Sequence, residues 1–282
     1  MLNEYRPCAR CGHQVLADGQ GQRYIVNSIL DVRLATRPGH LVRMQSTVVE
    51  RIRADGRFLL DIGSGSGKFL YCNRERFDRV LGIEVSKPCI DFSRRQLGLD
   101  IRDSLPEGVS PPSVVTMWHS LEHIPINSLL ELLNSISKVA DAKTRILISV
   151  PNNGSWQYQW FGCRYAYFDA PNHPHQFSDA SLDLLMQNFG FKKDSQFFLF
   201  PYIVFGYVQG LLNCVMPTHN YFYYRFKRGT LFEYTCVQRY LLDLYALLGL
   251  AVAIPLGVVL SLLDWMCPAK QGVITRCFRR TA

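Results

Sequence analysis

The stretch Phe58-Leu59-Leu60-Asp61-Ile62-Gly63-Ser64-Gly65-Ser66-Gly67-Lys68-Phe69-Leu70 decides the fold. An apolar run closes on an acid, three glycines then alternate with serines, and the pattern turns amphipathic at Lys68. This order predicts a buried strand, a tight turn and a helix start. Such a junction points backbone N–H groups and a helix N-terminus at a ligand. Glycine is needed where a Cβ would block the turn or the ligand's approach to the backbone. The spacing is G-x-G-x-G, and Lys68 stands where a dinucleotide fingerprint has its last glycine, which disfavours a nicotinamide site.

The next strand, Val80-Leu81-Gly82-Ile83-Glu84-Val85-Ser86, also ends in an acid. A carboxylate there can accept hydrogen bonds from both hydroxyls of a ribose. Asp61-Ile-Gly-Ser-Gly-Ser-Gly67 followed by Glu84 resembles motif I and its following acid in the class I S-adenosylmethionine (SAM) methyltransferases.

Composition bounds the rest. The 282 residues fit one α/β domain with insertions, and 48% hydrophobic against 19% charged content describes an ordered chain with unusually apolar parts. The net charge of +8 suits an anionic partner. The cations are scattered and no recognition module is present, so acidic lipid is expected rather than nucleic acid. Nine dispersed cysteines suit a reducing compartment. Met1-Leu-Asn-Glu-Tyr-Arg-Pro-Cys8 has no apolar signal core, so a cytoplasmic start is expected. Cys8-Ala-Arg-Cys11-Gly-His13 looks like half of a zinc knuckle, but no second pair follows and neither His13 nor His40 has diagnostic spacing. No metal site is expected.

Along the chain, Gly39 to Ala54 has the spacing of an amphipathic cover helix. After the glycine loop come a helix over Phe69 to Arg76, a strand over Val80 to Glu84 and a helix over Lys87 to Leu97. A weak third strand, Leu99 to Arg102, precedes Asp103, whose place suits contact with an adenine edge. Ser113 to His119 reads as the fourth strand and Arg145 to Val150 as the fifth, with a helix over residues 126–139 between them. Ser178 to Phe189 is a further helix, Lys192 to Phe200 a sixth strand and Gly272 to Arg280 a seventh. Alternating strands and helices imply βαβ units, a mostly parallel sheet, and motifs gathered along one sheet edge.

The string Trp118-His119-Ser120-Leu121-Glu122-His123-Ile124-Pro125 is the most specific in the chain. Together with the glycine loop, Glu84, Pro151-Asn152 and Asp169-Ala-Pro-Asn-His173-Pro-His-Gln-Phe-Ser178, it resembles the ubiquinone-type O-methyltransferases. The resemblance covers about Leu59 to Phe191. It implies an α/β, Rossmann-like seven-stranded class I methyltransferase sheet with helices on both faces, and SAM as cofactor. Asp61, Gly63, Ser64, Gly65, Gly67, Glu84, Val85, Asp103, Trp118 and His119 would contact the cofactor. In the family His123 lies near the methyl-transfer site, and His173 matches the histidine of the D-x-P-x-H-x-x-x-F-S segment. The chain departs in Ser113, where the family has aspartate, and in its weak third strand.

A histidine can take the proton from an attacking hydroxyl, while placement of the nucleophile in line with the sulfonium methyl supplies much of the acceleration. His119, His123 and His173 are the catalytic candidates, with His175 beside them. The aromatic run Gly154 to Phe168 is read as a substrate lid or as packing at the sheet edge.

The chain thus divides into an N-terminal segment and cover helix (1–56), a SAM-binding core (57–200), a hydrophobic helical insertion between strands six and seven (201–270), and a last strand with a basic tail (271–282). Leu244 to Leu263 runs twenty residues without a charge, enough to cross a bilayer by count. Paired strands on either side require the chain to leave and return on one side, which excludes a single crossing. A hairpin with Tyr202 to Met216 that dips into or lies on one leaflet is expected, with Tyr221 to Arg228 at the headgroups. The expected protein is a methyltransferase at the cytoplasmic face of a membrane, acting on a small or lipid-like acceptor, with a homodimer as a further expectation. The other readings are an idle SAM-fold scaffold and an enzyme acting on nitrogen or carbon of a soluble molecule.

Overall fold

The computed structural model describes residues 5–7, 13–16, 30–53, 57–169, 172–228 and 235–281. Cys8 and Cys11 lie outside them. Two compact units divide the chain: one of Glu4–Val150, Ala170–Phe197 and Ile274–Ala282, the other chiefly of Pro151–Asp169 and Phe198–Val273.

The first unit is built on a seven-stranded sheet. In chain order its strands are β3 (Phe58–Ile62), β4 (Arg79–Ile83), β5 (Ile101–Arg102), β6 (Val114–Trp118), β7 (Arg145–Pro151), β9 (Phe191–Gln196) and β10 (Val273–Arg280). Across the sheet the order is β5-β4-β3-β6-β7-β10-β9. The first five strands run parallel, and β10 pairs antiparallel with β9. The helices α1 (Val32–Thr36), α2 (His40–Ile52), α3 (Lys68–Asn73), α4 (Lys87–Leu97), α5 (Ile126–Val139) and α7 (Asp179–Asn188) complete the unit. This is the Rossmann-like class I methyltransferase architecture.

The central strands are apolar on both faces because helices cover both. Leu60, Val115, Ile146 and Ile148 are fully buried in one core with Leu133, Ile136, Leu182 and Phe278. Serine 178 closes a capping box with Ser181 at the start of α7, satisfying N–H groups that would otherwise lack partners. The guanidinium of Arg276, wholly buried on β10, pairs with Asp179 and Asp183 of α7 and with Gln196. That network ties the last strand to the helix.

Three elements differ from expectation. The third strand is only two residues long, since Asp100 and Asp103 leave little apolar sequence to pair. The sixth ends at Gln196, because a helix begins at Phe200. A small antiparallel sheet, β1 (Tyr5–Pro7), β2 (Gln14–Leu16) and β8 (His175–Gln176), joins the N-terminal segment to the histidine-bearing segment. The periodicity of two- and three-residue strands is too short to read from sequence.

The second unit is helical: α6 (Trp156–Phe161), α8 (Phe200–Val215), α9 (Tyr221–Arg228) and α10 (Cys236–Met266). Helix α10 starts eight residues before the apolar run. Thr235 caps it in a capping box with Gln238, and its internal Asp243 is paired with Arg225. Part of the aromatic run packs within this unit. Tyr165 donates to the carbonyl of Gly272, Tyr167 donates to that of Tyr202 at 2.8 Å, and Trp160 and Phe161 lie against Tyr207.

Candidate functional site

The glycine loop follows β3. Gly63, Gly65 and Gly67 have φ of 73°, 55° and 75°, conformations that disfavour any residue with a Cβ. At Gly63 the restriction is also steric, because a Cβ would lie 2.4 Å from that of Ser120. The N–H groups of Gly63 and Ser64 both donate to Ile83 O, at 2.8 and 3.1 Å. Gly65 N–H donates to Glu84 Oε2 at 2.7 Å, and Ser86 N–H to Glu84 Oε1 at 2.8 Å. The acid that ends β4 is therefore buried and holds two loops at once. A carboxylate has about four acceptor positions, so each oxygen keeps capacity for a further donor.

Beneath the loop, Asp61 accepts from Thr116 Oγ1 at 2.6 Å. Burial, with Glu84 nearby, pushes its pKa up to about 7 despite that hydrogen bond. Ser113 bonds both the N–H and the carbonyl of Phe58, so this departure from the family's aspartate fastens β6 to the start of β3. Val85 is 77% exposed and Asp103 is exposed. Among the described residues, the buried Ser64 Oγ and Trp118 Nε1 have no partner. Two orphaned polar atoms beside a cradle of positive-φ glycines fit a bound polar ligand of SAM's kind.

After β6 the chain turns sharply. His119 sits at φ 50°, its N–H bonded to Ser149 O at 2.8 Å. Its Nδ1 lies 3.3 Å from Glu122 Oε1. His123 Nδ1 lies 2.8 Å from the carbonyl of Asn172. A carbonyl only accepts, so Nδ1 carries a proton and donates it to Asn172 O. His173 meets His123 edge-on, with ring centroids 4.5 Å apart. Behind them His13 Nε2 lies 3.1 Å from His175 Nδ1. Burial lowers the pKa of both rings to about 4, and His175 lowers that of His13 further.

Glu122 is the functional candidate that sequence reasoning passed over. It is 1% exposed. Burial raises its pKa, but the hydrogen bond from His119 and the charges of His123, His119 and His173 outweigh this and hold it low. Ligand atoms of Glu122, His123 and His173 lie within 4.8 Å of one another. Two imidazoles and a carboxylate so placed are a donor set suited to a divalent transition metal. The sequence signal was present, since Glu122 directly precedes His123. His173 joins it only through the fold. Of the sequence candidates, His119, His123 and His173 come together, with His175 behind; the glycines, Asp61 and Glu84 form a second group.

A family profile described as a methyltransferase domain matches residues 39–196. A search of curated proteins finds no match. Among solved structures, a candidate sarcosine dimethylglycine methyltransferase from Galdieria sulphuraria is 14% identical with a TM-score of 0.53, covering 89% of this chain and 86% of that one. A SAM-dependent methyltransferase from Archaeoglobus fulgidus is 16% identical, with a TM-score of 0.45 and coverage of 85% and 94%. The SAM-bound amino pentose methyltransferase of calicheamicin biosynthesis from Micromonospora echinaspora is 22% identical with a TM-score of 0.36. The match covers 44% of this chain and spans 58% of that enzyme's length.

Proposed function

The chain belongs to the methyltransferase domain family, and from that premise we propose that it transfers a methyl group from SAM to a hydroxyl oxygen of a small, lipid-like acceptor at a membrane surface. SAM, when bound, supplies an electrophilic methyl. Gly63 to Gly67 and Glu84 hold the cofactor, with Val85, Asp103, Trp118 and His119 around it and Asp61 fixing the loop from below. The acceptor proton goes to Nε2 of His123, and the observation that carries this is the Nδ1–H bond to Asn172. With Nδ1–H engaged there, Nε2 is the basic nitrogen of the ring. His173 packs on its edge, and Glu122 stabilises the positive charge the ring acquires.

The membrane reading rests on which side of α10 is covered. Its buried residues include Ala246, Ala253, Gly257, Ser261 and Asp264, while Leu248, Val252 and Trp265 are 64%, 67% and 65% exposed. Small and polar side chains face protein and large apolar ones face outward. A water-facing helix has the reverse pattern, whereas close packing of small residues is how helices associate in lipid. Gly249 and Gly257 admit Leu212 and Val208 of α8, and a Cβ on either would come within 2.8 Å of those side chains. Alone among the described helices, α10 is long and apolar enough to cross a bilayer; α8 is shorter.

Incubating the purified protein with membrane extract and methyl-labelled SAM, then identifying the labelled product, tests the whole reading. A labelled hydroxyl of a lipid-soluble molecule is expected. A labelled amine or carbon would overturn the oxygen assignment, and a water-soluble product would overturn the lipid-like acceptor.

A further inference from the structure

Along one face of α10, Asp243, Ala246, Leu247, Leu250 and Ile254 follow one another at helical spacing. Two hollows open on that face. One, of about 200 Å³, is lined by Tyr221, Arg225 and Asp243 as well as Ala246 and Leu247; the other, of about 390 Å³, is lined by Val204, Phe205, Val208, Leu250 and Ile254. Phe222 of α9 walls both. The larger is within the usual size of a ligand pocket, roughly 300–1,000 Å³. From Asp243 to Ile254 the helix rises about 16 Å.

We propose that this face is a binding groove for one single-chain lipid with a neutral, hydroxyl-bearing head. The proposal rests on the lipid-facing reading of α10. The chain occupies the larger hollow, whose lining is apolar apart from Gln209. The amide of Gln209 is already engaged, donating to Asn213 at 2.9 Å and accepting from Tyr223 N–H at 3.3 Å. It therefore asks nothing of a ligand, and hydrocarbon suits the space.

The smaller hollow has a different chemistry. Arg225 holds Asp243 with contacts of 3.1–3.2 Å, and Tyr221 donates to the same carboxylate at 2.9 Å. Cation and anion cancel, so a lone phosphate or carboxylate gains little net attraction. A hydroxyl can use both signs, donating to the carboxylate and accepting from the guanidinium. Apolar at one end and neutral-polar at the other, the groove matches a monoacylglycerol-like amphiphile lying along α10.

The test uses the full chain and a diazirine-bearing monoacylglycerol, with crosslinked residues mapped by mass spectrometry. Saturable labelling of Val204, Val208, Phe222 or Leu250 is expected, displaced by excess unlabelled monoacylglycerol. Val204→Trp and, separately, Leu250→Phe should reduce it at least fivefold while SAM binding and vesicle co-sedimentation stay unchanged. Labelling confined to the outward residues Leu248 and Val252, or non-saturable labelling, overturns the groove. Competition in the unaltered protein decides the matter even if both variants misfold. Co-sedimentation with vesicles is read separately: its loss overturns the membrane reading, while saturable labelling in solution still upholds the groove.

Discussion

The backbone N–H of Gly65 donates to Glu84 Oε2 at 2.7 Å, so the tip of the glycine loop is held by the acid that ends the neighbouring strand. Loop and acid are read as separate cofactor contacts from sequence. In the fold they are one device, and a change at either moves the other.

That coupling sets the first prediction. Glu84→Ala removes hydrogen bonds to a charged acceptor, each worth about 1.5–3 kcal/mol, and frees the loop, so SAM affinity should fall at least tenfold. Gly65→Val should abolish binding. Gly63→Ala should lower the melting temperature as well, because its Cβ would overlap Ser120. Calorimetric titration with SAM and thermal melts check these effects.

His123→Ala should lower turnover by about 10²–10⁴-fold with SAM affinity near normal. Glu122→Gln should lower turnover less and shift the acidic limb of the pH–rate profile to lower pH, since the neutral amide no longer stabilises the imidazolium and the base is freed of its proton more readily. Measuring the profile from pH 5 to 9 checks this, and an unmoved profile removes Glu122 from the chemistry.

Asp61 gives a pH prediction with a definite sign. Its pKa rises from the usual 3.8 to about 7 in the folded chain. The folded state holds a proton that the unfolded state has released, so stability from this group is present below pH 4 and lost as pH rises through 7. Without SAM, Asp61→Asn should gain stability relative to the unaltered protein as pH rises from 5 to 8. Denaturant titrations at both values measure the difference.

In the helical unit, Asp264 accepts from Tyr207 at 2.7 Å and from Gly272 N–H at 3.0 Å, wholly buried. Asp264→Ala strands both donors, at about 1–3 kcal/mol each. A lower melting temperature is expected, with Asp264→Asn milder.

Leu248→Glu and Val252→Glu each remove an exposed apolar side chain from the face assigned to lipid. Each forfeits about 1.5–3 kcal/mol of burial, so vesicle partitioning should fall ten- to a hundredfold without loss of SAM binding. Co-sedimentation checks it.

The glycine loop, Glu84 and the bounds of α4 and α5 were legible because each is written locally, in the spacing of neighbouring residues. What was illegible is held by distant partners. Asp243 looks like an acid interrupting an apolar helix until Arg225, eighteen residues earlier, neutralises it. Glu122 is surrounded partly by His173, which no local pattern announces. The inward ridge of α10 was invisible for another reason: a run of apolar residues does not state which side is covered.

Among the described residues, strand β9 lies at the sheet edge with β10 as its one neighbour, and β10 is the last strand in chain order and also completes the sheet beside β7. At about 5–20 residues per second, the ribosome therefore delivers the whole helical unit, over several seconds, before β9 has a neighbour. The most water-averse part of the nascent chain thus emerges while the sheet is still open, and on the membrane reading proposed above its attachment precedes completion of the sheet.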